Sequence, residues 1–344
     1  MVGGCKGSLR LWPYTPRVSI SPRDPGRPAP AAAPPPQLPP AERRPVTLRT
    51  LRSMAARNEP FACLTAYDAT TARWLERGGV HVLLVGDSAA QVVLGFERTI
   101  DMPLEVALVL TAAVKRGAPR TLVMADMPFA SYQASDEQAV LNGSRFMTEG
   151  LADVVKIEAD ASFARTVAAM TRAGIPVCAH VGCRPQGVAV AGGYSAAGRT
   201  AADAHQVVRD AVALEQAGAV LLLVEAVPEE VTRAIVSSTS VPLIGIGAGA
   251  GCHGQVLVIQ DLLGMTDSPP RFAEPVAEMG PGMRDAAAEW VRRVRTGEIG
   301  GQRYVMREGE AARFGIQEGH DSESTGSAPR SGPMGSSEER RTTE

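Results

Sequence analysis

Four times in this chain an apolar run ends on a carboxylate. Val82–Ser88 reads VLLVGDS, Leu122–Asp126 LVMAD, Val154–Glu158 VVKIE and Val220–Glu225 VLLLVE. A short, nearly continuous apolar run is the pattern of a strand buried on both faces, as in parallel sheets covered by helices. Ligands of parallel α/β folds gather at the carboxyl ends of the strands, so these acids are candidates for one shared site.

Four further runs complete the pattern: Phe61–Thr65 (FACLT), Pro176–Val181 (PVCAHV), Pro242–Ile246 (PLIGI) and Gln255–Ile259 (QVLVI). Helical segments lie between most of them, with recognisable start and stop signals. Thr70–Arg77 ends at Gly78-Gly79, and Pro103–Lys115 has Pro in its first turn and Arg116-Gly117 at its end. Ser135 precedes Asp136, Glu137 and Gln138, an N-cap with acids in the first turn of a helix reaching Glu149. Helices are also expected over Ser162–Ala173, Ala201–Ala217, Pro228–Ser237 and Met283–Arg295, the last packing outside the barrel or against a neighbouring subunit. Eight strands alternating with helices predict a closed (β/α)8 TIM barrel rather than an open sheet, with right-handed crossovers.

The 344 residues, 44% hydrophobic with a net charge of −2, fit a soluble globular chain and give no electrostatic reason to expect nucleic acid or a membrane as partner. No apolar run approaches the roughly 18 residues of a membrane span. The five cysteines lack close pairs, and Cys63 and Cys178 lie in strand-like runs, which points to buried thiols in a reducing compartment. Residues 1–46 are rich in Pro and Ala and read as a disordered leader, 47–315 as the catalytic domain, and 316–344 as a disordered tail. The Arg-rich leader leaves organellar targeting open beside a cytoplasmic location, although its prolines oppose an amphipathic helix.

Asp87, Asp126 and Glu158 end strands two, three and four. Neighbouring strands lie about 4.8 Å apart, so the three acids can converge on one ion, and an all-oxygen set suits Mg²⁺. The competing reading is that each acid caps the helix after its strand. Lys156 shares a face with Glu158 and could hold a substrate carboxylate or enolate oxygen, or it could be a structural partner of an acid. Glu225 ends a strongly apolar strand, where desolvation would raise its pKa and suit it as a general base; capping is again the alternative. His180 could hydrogen-bond an oxyanion or be a satisfied core histidine. Gly245–Gly251 (GIGAGAG) reads as a tight turn rather than a dinucleotide site, because another strand follows within a few residues.

Taken together, TAYD from Thr65, VGDS from Val85, ADMPF from Ala125, VKIE from Val155, HVG from His180, PQ at Pro185, GGY from Gly192, LLVE from Leu222 and GIGAG resemble the ketopantoate hydroxymethyltransferase family over roughly Val46 to Phe272. The resemblance implies a barrel of the phosphoenolpyruvate/pyruvate type, generally a homodecamer, in pantothenate and coenzyme A synthesis. It implies transfer of a hydroxymethyl group from 5,10-methylenetetrahydrofolate to 3-methyl-2-oxobutanoate, giving 2-dehydropantoate through a Mg-stabilised enolate. Asp87 and Asp126 would then ligand one Mg²⁺ per subunit with Glu158 close by. Ser88, Asp126 and Lys156, with Asp87 through the metal, would hold the keto acid, His180 would assist, and Glu225 would take the proton from C3.

The chain departs from the common family pattern at Ala89-Ala90-Gln91, Cys183-Arg184, Ser195 and His253, all expected on loops at the catalytic end, where folate affinity and loop closure are decided. Two rivals remain: another metal-dependent lyase or mutase of the same superfamily, and a catalytically impaired barrel serving as a binding or assembly partner. The first lacks its KKCGH-type loop here. The joint presence of the acids, Lys156 and His180 opposes the second.

Overall fold

The computed structural model describes residues 44–301 and 304–315. Most of the Pro/Ala-rich leader and all of the tail from residue 316 lie outside them. The described chain forms two compact units, the first ending at Met283 and the second beginning at Arg284.

The first unit opens with α1 (Leu48–Ala56), β1 (Phe61–Thr65), α2 (Ala69–Arg77), β2 (Val82–Val85), α3 (Ala89–Val92), α4 (Leu104–Gly117) and β3 (Leu122–Asp126). It continues through α5 (Asp136–Thr148), β4 (Val154–Glu158), α6 (Ala164–Arg172), β5 (Val177–Gly182), α7 (Val188–Ala191), α8 (Ala201–Gln216) and β6 (Leu221–Glu225). It then adds α9 (Glu229–Ser238), β7 (Leu243–Ile246), β8 (Gly254–Leu257) and α10 (Ile259–Leu262). A helix α11 (Met279–Thr296) and a short α12 (Glu310–Arg313) follow. From Arg284 on, every described residue is exposed or half-buried, including Trp290, Val291 and Val294 of α11. Among the described residues no helix is long and apolar enough to cross a membrane.

The eight strands pair in parallel in sequence order and β8 closes on β1. Strand alternation sorts the core into two layers. Leu83, Val85, Val123, Ala125, Val155 and Ile157 face the surrounding helices. Phe61, Val82, Leu122, Met124, Val154 and Leu221 fill the barrel interior, where Cys63 and Cys178 are buried free thiols. These interior residues close the barrel at the amino ends of the strands, which leaves the carboxyl ends for chemistry.

Helix starts follow local chemistry. Asp68 Oδ1 accepts from the backbone N–H groups of Thr70 and Thr71, each at 2.8 Å, and Ser135 accepts from Gln138 N at 3.1 Å. One expectation shifts and one holds. The last strand ends at Leu257 rather than Ile259, because Ile259 N donates to Thr65 Oγ1 at 2.9 Å instead of continuing the ladder. The β7–β8 connection, Gly247–His253, has no helix; Gly247 and Gly249 take positive φ angles of 59° and 75°, as a tight turn of GIGAG requires.

Candidate active site

Interior-facing positions run two residues apart along each strand, so the apolar rows continue upward into the last layer of the mouth. Leu122 and Met124 lead to Asp126, Val154 to Lys156 and Glu158, Cys178 to His180, and Leu221 and Leu223 to Glu225. Asp87 breaks this parity, since Val85 faces the helices. The turn after β2 brings it back to the barrel mouth, and a Cβ at Gly86 would stand 2.8 Å from Ser88 Oγ and push the serine hydroxyl aside. Asp87, Ser88, Asp126, Lys156, Glu158, His180 and Glu225 all line one cavity of about 530 Å³.

Lys156 Nζ donates to Asp126 Oδ2 at 2.5 Å, both side chains being almost wholly buried. Asp87 N points to the same Oδ2 at 3.5 Å. Burial pulls the Lys156 pKa down, but the carboxylates of Asp126, Asp87 and Glu158 outweigh it and leave the ammonium above its ordinary value. Asp126 and Glu158 are raised above the ordinary carboxylate range, by burial first and then by their like-charged neighbours. Both members of the Lys156–Asp126 pair move upward because one ammonium is shared among three acids. Glu225 is pushed up to about 7, chiefly by desolvation.

None of the four strand-end acids accepts a bond from the helix that follows it; that work falls to Asp68, Asp160 and Ser135. The capping alternative is therefore overturned for Asp87, Asp126, Glu158 and Glu225. His180 is not a satisfied core histidine either. It is buried, neither ring nitrogen completes a hydrogen bond, and its Nε2 lies 3.4 Å from Glu225 Oε2 and its Nδ1 3.8 Å from Glu158 Oε1. Burial, with Lys156 and Arg184 adding, drives its pKa well below the usual value, so the ring is neutral.

Side chains without a forecast role complete the site. Tyr67 Oη and Ser88 Oγ are 2.8 Å apart, which fixes the serine hydroxyl. Gln186, buried in a short 3₁₀ turn Pro185–Gly187, donates to Asp87 Oδ2 and to Met127 O. Tyr132 donates to Gln186 Oε1 at 2.8 Å. No strand periodicity reaches these loop residues; the signals in the sequence are the motifs TAYD, which holds Tyr67, and Pro-Gln, which holds Gln186.

Among the described residues no three His, Cys, Asp or Glu side chains are disposed to enclose a metal by themselves. Asp87, Asp126 and Glu158, the three acids expected to converge, line one cavity, with Gln186 bonded to both Asp87 and Glu158. Asp126 Oδ1 and Glu158 Oε1 are buried without a hydrogen-bond partner. Such orphaned oxygens are costly unless a ligand supplies a positive partner. Magnesium commonly takes one or two protein carboxylates and completes its shell with water and substrate oxygens, so this donor set could hold it.

A family model described as ketopantoate hydroxymethyltransferase matches residues 45–301. The chain belongs to that family. A relative from Hyperthermus butylicus, named 3-methyl-2-oxobutanoate hydroxymethyltransferase, is 46% identical over 262 residues, covering 76% of this chain and 91% of its own. A Rhodococcus jostii protein of the same name is 46% identical over 248 residues, covering 72% and 86%. Among solved structures, phosphonopyruvate hydrolase with oxalate and Mg²⁺ superposes with a TM-score of 0.51 at 16% identity, over 77% of this chain and 90% of that one. A 2,3-dimethylmalate lyase of the PEP mutase/isocitrate lyase superfamily superposes at 0.50 and 16%, over 78% and 92%. At that identity these two support the TIM-barrel fold of the family and nothing finer.

The positions expected to depart from the family pattern resolve individually. Gln91, Cys183 and Ser195 line the cavity. Arg184 pairs with Asp160 at 2.6 Å. Burial, with the Glu225 charge adding, pushes the Cys183 thiol up to about 11, which keeps it protonated and a poor nucleophile. His253 is not at the catalytic end. The helix-free β7–β8 connection descends the barrel, so His253 arrives at the amino ends of the strands, where its Nδ1 accepts from Leu243 N at 3.0 Å.

Proposed function

We propose that this hydroxymethyltransferase family member makes 2-dehydropantoate from 3-methyl-2-oxobutanoate and 5,10-methylenetetrahydrofolate, with Glu225 as the base at C3. The observation that carries the reading is that Glu225, pushed up to about 7, shares one cavity with the buried Lys156–Asp126 pair and the unpartnered oxygens beside it. A base poised near neutrality and a fixed positive group beside the acceptor oxygen are what proton abstraction next to a carbonyl requires.

Asp87 and Asp126 would hold a magnesium ion, with Glu158 close by; when bound, it supplies Lewis-acid polarisation of the keto oxygen. Lys156 would hold the substrate carboxylate or keto oxygen and oppose charge that develops there. Ser88, held by Tyr67, would donate to the carboxylate. Glu225 would take the C3 proton, and neutral His180, within 3.4 Å of its carboxylate, would hold the protonated acid in place. The apolar side chains of Leu223, Ile246 and Val256 line the same cavity and suit the substrate's branched methyl groups. Folate would enter from the open side, past Tyr194 and Phe272.

Self-association into a homodecamer belongs to the same reading. It is supported by exposed apolar side chains on three helices of the barrel, Trp74 of α2, Val109 of α4 and Leu141 of α5.

The test is direct product formation. The purified chain with both substrates and Mg²⁺ should yield 2-dehydropantoate, and the melting temperature should rise more with Mg²⁺ and keto acid together than with either alone. A folded, metal-loaded protein that makes no product would overturn the reading.

A further inference from the structure

We propose that Gln186 is a positioning residue through which the loop after β5 sets the two carboxylates Asp87 and Glu158, so that cation binding and the order of that loop are coupled. The proposal rests on the reading that a divalent cation sits at Asp87 and Asp126.

Gln186 is only 6% exposed, and every polar group it carries toward the site is engaged. Its Nε2 donates to Asp87 Oδ2 at 2.9 Å and to Met127 O at 3.0 Å. Its Oε1 accepts from Tyr132 Oη at 2.8 Å and from Gln133 Nε2 at 3.0 Å. Its backbone N donates to Glu158 Oε2 at 2.8 Å. These partners fix the amide orientation. A flipped amide would turn its oxygen onto the Asp87 carboxylate and its NH₂ onto the NH₂ of Gln133. One residue therefore ties the ends of β2, β3 and β4 to the segment that follows β5.

The division of oxygens gives this network a purpose beyond packing. Gln186 takes Oδ2 of Asp87 and Oε2 of Glu158, while Lys156 takes Oδ2 of Asp126. Oε1 of Glu158 and Oδ1 of Asp126 are left without partners. Asp126 and Glu158 are thus each held by one oxygen and offer the other, and Asp87 is held by its Oδ2. A neutral amide does this without adding charge, whereas a second lysine would compete with the cation. Outer partners that orient ligating carboxylates typically change metal affinity by about 10- to 100-fold when removed. The same loop carries Cys183, Tyr194 and Ser195 along the cavity wall. A cation that locks Asp87 must then favour the loop position that Gln186 requires, and the loop must favour the cation by the same factor.

The test compares full-length wild type with Gln186→Met, which keeps the length of the side chain and removes its hydrogen bonds. Mg²⁺ affinity is measured by titration calorimetry, and backbone hydrogen exchange of residues 183–198 is followed with and without Mg²⁺. The expected result is affinity about 10- to 100-fold weaker in the variant, and Mg²⁺-induced protection of the loop in wild type only. Equal affinity and equal protection would overturn the proposal while leaving the metal reading intact. A lower metal-free melting temperature with unchanged affinity would also overturn it, by making Gln186 a structural clasp alone. Wild type that binds no Mg²⁺ would remove the metal reading itself. Should Gln186→Met fail to fold, Tyr132→Phe takes one donor from the amide oxygen and should weaken Mg²⁺ binding several-fold; unchanged affinity there counts against the proposal.

Discussion

Lys156 and Asp126 are Cα partners in the β3–β4 ladder, and their side chains meet at 2.5 Å inside the barrel mouth. Strand register alone brings the one ammonium that lines the cavity among the described residues onto one of its carboxylates. The pair is buried, so neither charge is screened as it would be at the surface.

Lys156→Met should therefore separate binding from catalysis. Turnover is expected to fall by about 10²- to 10³-fold, the usual cost of losing one fixed donor to developing negative charge. Mg²⁺ should bind more tightly, because a positive charge competing for Asp126 is gone. Steady-state kinetics and calorimetry check the two halves, and weaker Mg²⁺ binding would contradict the assigned role.

The pH profile of proton abstraction should report Glu225. Its carboxyl titrates near 7 rather than at the ordinary 4.5, with burial as the main cause. The base must be ionised, so the rate should rise about tenfold per pH unit below 7 and level off above it. A profile with its midpoint near 4.5 would put the base elsewhere.

Without metal, stability should fall as pH rises from about 4 towards 7. Asp126 has its pKa raised from 3.8 to about 7, so over that window the native state holds a proton that the unfolded chain has released. Glu158 moves in the same direction. The native state therefore binds more protons, and stability is present at low pH and lost on the way up. Mg²⁺ takes the place of those protons, so the rise in melting temperature it produces should grow with pH. Thermal melts in EDTA and in Mg²⁺ across this range provide the check.

Much of the site was legible because strands alternate with period two. Once β3, β4, β5 and β6 are located, Asp126, Lys156, Glu158, His180 and Glu225 must face inward together. Asp87 was found by its place after a strand, although its parity points outward, and the turn at Gly86 is what returns it. Gln186 and Tyr132 lie on loops, where no period connects sequence to direction. The helix Leu48–Ala56 is absent from the sequence reading although Leu48, Leu51 and Met54 recur at helical spacing behind a Thr47 N-cap, because it precedes the first strand and lies outside the strand–helix alternation. His253 is expected at the catalytic end, yet the tight turn expected over Gly245–Gly251 carries the chain back before β8, so His253 stands beside the start of β7 with its Nδ1 on Leu243 N.

Gly182 holds the backbone under the base. Its φ is +93°, and a Cβ there would stand 2.6 Å from Glu225 O and 3.0 Å from Val227 Cγ1. Gly182→Ala should cost about 1–3 kcal/mol through the strained backbone, with the clash in addition. Gly192→Ala, at φ +73° with nothing within 4 Å, should show strain alone. Denaturant melts of the two, with turnover measured alongside, should find activity damaged far more at 182.

The central claim is that Glu225 removes the C3 proton of the keto acid. Its most direct test follows deuterium entering C3 of 3-methyl-2-oxobutanoate in D₂O by NMR, with Mg²⁺ and no folate, for wild type and Glu225→Gln. The account predicts exchange that needs the metal and is lost in the variant. Folded, metal-bound wild type that exchanges nothing, or a variant that exchanges as fast as wild type, would contradict it.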